Sequence, residues 1–221
     1  MIDSSSTEER LFIQAMEILR GCRDREGLAR GVAEYVTLAE VLAGEREVDC
    51  RAGCPYCCVL TVTVLLPEAA AIVLHLTGSL TTDELVVLTA RLDRQRRLVR
   101  WMEDGERVRR QHRCPFLDEH DRCAVHHVRP LVCRGITSLD NRLCREALDP
   151  SNLEAPGAVP MDMVRKTVME DAFCALVRAQ AAFNWGTRGI ELCTGVSAFL
   201  AQPELIELML DGGRLPPELW E

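Results

Sequence analysis

Eight of the chain's eleven cysteines fall into two groups, Cys50-x3-Cys54-x2-Cys57-Cys58 and Cys114, Cys123, Cys133 and Cys144. Thiols gathered from separate segments suit an inorganic centre, because structural zinc takes four N or S ligands and iron–sulfur clusters are held by thiolates. Disulfide stapling of a thin core is the other common use of many cysteines, and it does not suit this chain. At 221 residues and 48% hydrophobic, the sequence holds enough apolar material to bury a core unaided. It opens MIDSSSTEER, without the apolar leader of an exported protein, and an odd cysteine count would leave one thiol over after full pairing. The expectation is a cytoplasmic chain with reduced or metal-bound thiols.

The formal charge of -8 argues against a nucleic-acid binder, which needs a basic footprint to neutralise phosphate. One stretch departs from this balance: residues 91–113 carry nine arginines against four acids. Its simplest reading is the solvated face of a long helix. The longest apolar stretch, Val59 to Leu76, includes Pro67, Glu68 and His75 and is too short to span a bilayer, so no membrane segment is expected.

The rest of the chain reads as mostly α. Ser6-x-x-Glu9 is a capping box opening a helix that stops near Gly21. A second helix is expected from Asp24 to Leu42, with Gly44 ending it. Val59–Leu66 is rich in β-branched residues and suggests a short extended segment, and Pro67 then begins a helix ending near Gly78. Thr81-x-x-Glu84 opens a long helix carrying Leu85, Leu88, Leu92, Leu98 and Trp101, with a break near Gly105. Residues 114–160 have little periodicity and many turn formers, Pro156 among them, and predict irregular structure. Helical patterning returns over 161–182, 190–200 and 203–210. The fold expected is a single helical domain, 1–221, in which helical flanks (1–49 and 161–221) carry an irregular cysteine-rich metal-binding face at about 50–144.

Eight thiols exceed one tetrahedral site. The doubled Cys57-Cys58 sharpens this, since adjacent residues seldom direct both side chains to one ion. Five of the 14 non-cysteine neighbours of the clustered cysteines are arginine (Arg51, Arg113, Arg122, Arg134 and Arg145), where overall arginine content predicts between one and two. Positive neighbours lower thiol pKa and offset thiolate charge, although arginines also simply pack over loops. Asp118, Glu119, His120 and Asp121 read as a solvated turn, and no nucleophile–base arrangement is legible. Cys22, Cys174 and Cys193 read as small hydrophobes outside the site, and Trp101, Trp185 and Trp220 as packing residues.

The first group, followed by Cys114-Pro115-Phe116-Leu117, Cys123 and Arg129-Pro130-Leu131-Val132-Cys133-Arg134, resembles the cysteine-cluster proteins of the YkgJ type, a zinc- or iron-chelating family. Ser138-Leu139-Asp140 leading to Cys144 is similar to the closing segment of that family. Where the family often has an aromatic residue, this chain has His126, followed by His127. His126 is open to reading as an extra ligand or as half of a polar surface pair. The family includes a flagellin lysine methylase, so the resemblance also implies a link to S-adenosylmethionine. No G-x-G-x-x-G loop accompanies it. Cys50-x3-Cys54-Pro55-Tyr56-Cys57 is similar, too, to the three-cysteine motif of radical S-adenosylmethionine enzymes, but there the motif follows a strand and here a predicted helix precedes it.

The expectation is therefore a metal-binding protein with Cys50, Cys54, Cys57, Cys58, Cys114, Cys123, Cys133 and Cys144 as ligands. An iron–sulfur cluster is preferred over zinc because the donors are all thiols. The expected role is redox or support, with a redox or other protein as partner. The alternatives are an S-adenosylmethionine-linked enzyme, as methylase or radical type, and a structural zinc protein that binds a partner.

Overall fold

The computed structural model describes residues 6–152 and 157–216, and these form ten α-helices, three short 3-10 turns and one two-stranded ribbon. Pro156 and Trp220 lie outside the described residues. Helix α1 (Thr7–Gly21) begins where the Ser6 hydroxyl accepts from the Glu9 amide at 3.2 Å. Only half of the expected capping box forms there, because the Glu9 carboxylate takes a bond from Arg178 instead (2.9 Å). Helix α2 (Arg25–Ala43) is capped by Asp24 on the Gly27 amide (2.7 Å) and stopped by Gly44, whose φ of +72° is where a side chain would be strained.

Helix α3 (Leu66–Ser79) follows the expected boundaries, and helix α4 (Thr82–Val99) starts as expected on a reciprocal Thr81–Glu84 box. The expected long helix breaks earlier than Gly105, at Arg100–Glu103, and Gly105 lies inside α5 (Asp104–Arg110). That break leaves Trp101 84% exposed, with the Arg100 guanidinium 4.9 Å from its ring centroid, so the packing role expected of it is not met.

Residues 114–160 are more helical than expected. They contain α6 (Leu131–Gly135) and α7 (Asn141–Ala147). Each is too short for apolar periodicity to register, and α7 starts on a local signal, the Asp140 carboxylate accepting from the Arg142 amide at 2.9 Å. Helix α8 (Met163–Ala182) is capped by Asp162. The extended segment expected in Val59–Leu66 narrows to β1 (Thr63–Val64), which pairs antiparallel with β2 (Ile190–Glu191). Helix α9 (Leu192–Ala201) follows directly, then α10 (Leu205–Leu210).

Helices α1, α2 and α8 pack together; α3 joins them through α2, and α9 covers α3 and α4. One contiguous core runs through these helices, with Leu11, Leu28, Tyr35, Ile72, Leu92, Ala172, Leu176 and Phe199 buried. The Tyr35 hydroxyl, raised in pKa chiefly by burial, donates to the Ala172 carbonyl at 2.8 Å and ties α2 to α8. Trp185 is buried against Phe183, as expected of a packing residue. Cys22 is also buried, its thiol donating to the Ile18 and Gly27 carbonyls, whereas Cys174 lies exposed on α8 and does not fill the core. Among the described residues no helix is long and apolar enough to cross a membrane.

Candidate metal centre

The first cysteine group sits on a tight turn. Asp49 donates its amide to the Ser138 carbonyl (2.9 Å), and the chain then winds through Cys54 N–H on Arg51 O (3.1 Å) and Cys58 N–H on Pro55 O (2.9 Å) into the 3-10 turn Tyr56–Val59. Gly53, at φ +84°, makes the winding possible.

The second group is stitched to the first by one backbone bond, Cys114 N–H to Cys58 O at 2.7 Å. Cys114 and Cys123 flank a small hairpin with Asp118 N–H on Arg122 O and Ala124 N–H on Phe116 O. Asp118 caps its tip by accepting from the His120 and Arg122 amides, so residues 118–121 form a turn as expected. Phe116 and Leu117 bury beneath it.

The 129–134 segment owes its shape to two buried charges. Glu68, at the start of α3, accepts from the Leu131 amide at 2.8 Å and fixes the first turn of α6. Arg134 donates to the carbonyls of His127 (2.7 Å) and Arg129 (2.8 Å) and pairs with Glu40 (3.0 Å), which Arg165 also reaches. Burial pushes the Glu40 carboxyl up, but the bonds from Arg134 and Arg165 outweigh it and hold the group below 4.5. Cys133 is carried on this braced turn, and Arg129 is left free to face inward.

Seven of the eight expected ligands, Cys50, Cys54, Cys57, Cys58, Cys114, Cys123 and Cys133, line one cavity of about 370 Å³. Cys144 does not. It stands on α7 close to Cys50 and Cys57, beside Ser138, whose amide donates to the Cys50 sulfur at 3.3 Å. Cys57 is the thiol that bears electrostatically on Cys54, Cys123, Cys133 and Cys144 alike, placing it among both groups. His126 also lines the cavity, whereas the His127 ring lies outside its lining.

The neighbouring arginines are less directly engaged than their positions suggest. Arg51, Arg113 and Arg122 pair with Asp49, Asp121 and Asp118, and Arg134 with Glu40. Arg129 is the cation that bears on Cys57, Cys123 and Cys133. Its Nε is buried without a hydrogen-bond partner and the residue lines the cavity. Sequence reasoning missed Arg107, Arg165 and Glu191 among the lining residues, and Cys193, expected outside the site, lines the cavity as well.

All eleven cysteines are free thiols. Burial pushes Cys114 and Cys133 up to about 12. Cys57 is raised first by a hydrogen bond shared with Cys58 and then by burial; Cys54, Cys123 and Cys144 are raised mainly by burial. The donors fit a soft metal, which must displace their protons to bind. Among the described residues no three His, Cys, Asp or Glu side chains close on a single ion; the thiols instead surround a space.

The comparisons agree with this chemistry. Residues 49–147 match the family described as CxxCxxCC, "Putative zinc- or iron-chelating domain". This segment is similar to that family's domain. Comparison with curated proteins and with solved structures returns no match. The matched segment spans both cysteine groups and ends with α7, and the helices α1, α2 and α8 brace it from outside the matched residues.

The raised thiols set two pH dependences of opposite sign. In the metal-free protein the folded state holds its protons more tightly than the unfolded chain. Its stability contribution is complete below the ordinary 9.0 and is lost as pH rises towards about 12. Metal binding expels those protons, so affinity rises with pH. The denaturation midpoint of stripped protein is expected to fall above about pH 9, while chelator competition shows metal held more tightly at about pH 8 than at about pH 6.

Proposed function

We propose that the chain is a metalloprotein whose cysteine-lined cavity holds an iron–sulfur centre in a redox or supporting role. The observation that carries this reading is the gathering of seven of the eight clustered thiols, from two chain segments, around one space of about 370 Å³. The all-thiol donor set is what favours an iron–sulfur centre, since four ligands suffice for a zinc ion and for a single cluster alike. When bound, such a centre supplies one-electron chemistry. The chain's own groups support it: Arg129 offsets thiolate charge, the Ser138 amide donates to the Cys50 sulfur, and Phe116, Leu117 and Val125 keep water from the buried side. Its partner would be a redox protein in a reducing compartment.

Zinc is the second reading, because the family description names both metals. Anaerobic purification separates them. The protein should be brown, with iron and acid-labile sulfide in equal amounts. A colourless protein with stoichiometric zinc and no iron would overturn the iron–sulfur choice and leave a structural zinc domain.

A further inference from the structure

The cavity lining holds two charged side chains that the thiols do not explain. Arg107, on α5, is 3% exposed, and its Nε has no hydrogen-bond partner. Its nearest contacts are loose: NH1 lies 3.4 Å from the Thr61 hydroxyl and 3.6 Å from Glu191 Oε1. A guanidinium carries five donors and keeps its charge, so burying it this poorly bonded is costly. Glu191 is in a matching state. Its carboxylate caps α9 by accepting from the Thr194 amide at Oε2 (2.9 Å), bonds the Cys193 thiol, and meets Arg107 only at a long 3.6 Å through Oε1. Both residues line the cavity together with the apolar Leu60, Val62 and Leu192.

We propose that this part of the cavity binds a small zwitterion of the α-amino-acid class, with its carboxylate on Arg107, its ammonium on Glu191, and an apolar side chain against Leu60, Val62 and Leu192. The opposite charges of Arg107 and Glu191 select this class. A plain anion gains from Arg107 but meets the Glu191 carboxylate, and a phosphate dianion meets it with more charge. A plain cation has the converse conflict. A zwitterion offers each side chain its counter-charge and completes the bonding that the two leave unfinished. The site does not rest on the iron–sulfur reading, since neither charged residue is a thiol, and it would stand beside a zinc ion equally well.

The test is calorimetric titration of the full-length protein, as isolated, with each of the twenty L-amino acids. The tightest binder is then compared with its deaminated and decarboxylated analogues. An apolar amino acid should bind, and each analogue should bind at least about tenfold more weakly, because each leaves one buried charge unpaired. Arg107→Gln and Glu191→Gln should each cost at least about tenfold in affinity while metal content stays unchanged. Should Arg107→Gln fail to fold, Glu191→Gln still decides the matter, because glutamine keeps an oxygen for the α9 cap. Absence of binding by every amino acid, or equal binding of a deaminated analogue, would overturn the proposal. Metal analysis of the same samples keeps that result separate from failure of the metal reading.

Discussion

Serine in place of Cys57 or Cys133 is expected to strip most of the bound metal and to open residues 114–144 to protease. Cys57 is the thiol to which both groups are coupled, and Cys133 stands on α6 at the buried side of the cavity. The two positions belong to segments joined directly by the Cys114–Cys58 backbone bond. Loss of a ligand on either side therefore loosens both. Removing groups that only support a ligand already weakens metal sites by about 10–100-fold, so loss of a ligand should exceed that. Cys174→Ser, on the exposed face of α8, should change neither metal content nor protease resistance. Full metal in Cys133→Ser would show that the two groups do not share a centre.

Glu68→Ala should be the most damaging substitution outside the thiols. The carboxylate is 2% exposed and accepts from the Leu65 amide (2.9 Å) and the Leu131 amide (2.8 Å), so it opens α3 and fixes the start of α6 at once. Alanine would leave two buried amides without acceptors, each costing about 1–3 kcal/mol. Against a total stability of about 5–15 kcal/mol, that is a large share. A melting temperature lower by on the order of 10 °C is expected. Metal content should fall with it, because α6 carries Cys133. Glu68→Gln, which keeps one oxygen acceptor, should lie between alanine and the parent. An alanine variant that melts within about 2 °C of the parent would show that these bonds carry little.

What the sequence disclosed of the fold was local. The caps at Ser6 and Thr81 are short-range hydrogen bonds written into neighbouring residues, and both helices began where their caps predicted. Helices α6 and α7 escaped because five or seven residues cannot display an apolar stripe. Trp101 was misjudged because helical spacing places a side chain on a face only while the helix continues, and α4 ends at Val99.

The site divides in the same way. The thiols were legible as chemistry, because few residue types bind soft metals and these were grouped. Arg107 was not, since nothing within an arginine-rich run marks the member that turns inward. Glu191 and Cys193 reach the cavity only through the pairing of β1 with β2, a contact across more than a hundred residues. Glu68 did leave a trace. A lone acid directly after Pro67 in an otherwise apolar stretch is the pattern of a buried carboxylate that bonds backbone amides.

Iron-edge X-ray absorption of anaerobically purified protein tests the central claim most directly, because it reads the donors and the nuclearity together. A first shell of sulfur with a second shell of iron is the predicted result, and Cys57→Ser should abolish both. Iron bound by nitrogen or oxygen alone, with no neighbouring iron, would contradict a thiolate-held cluster in this cavity.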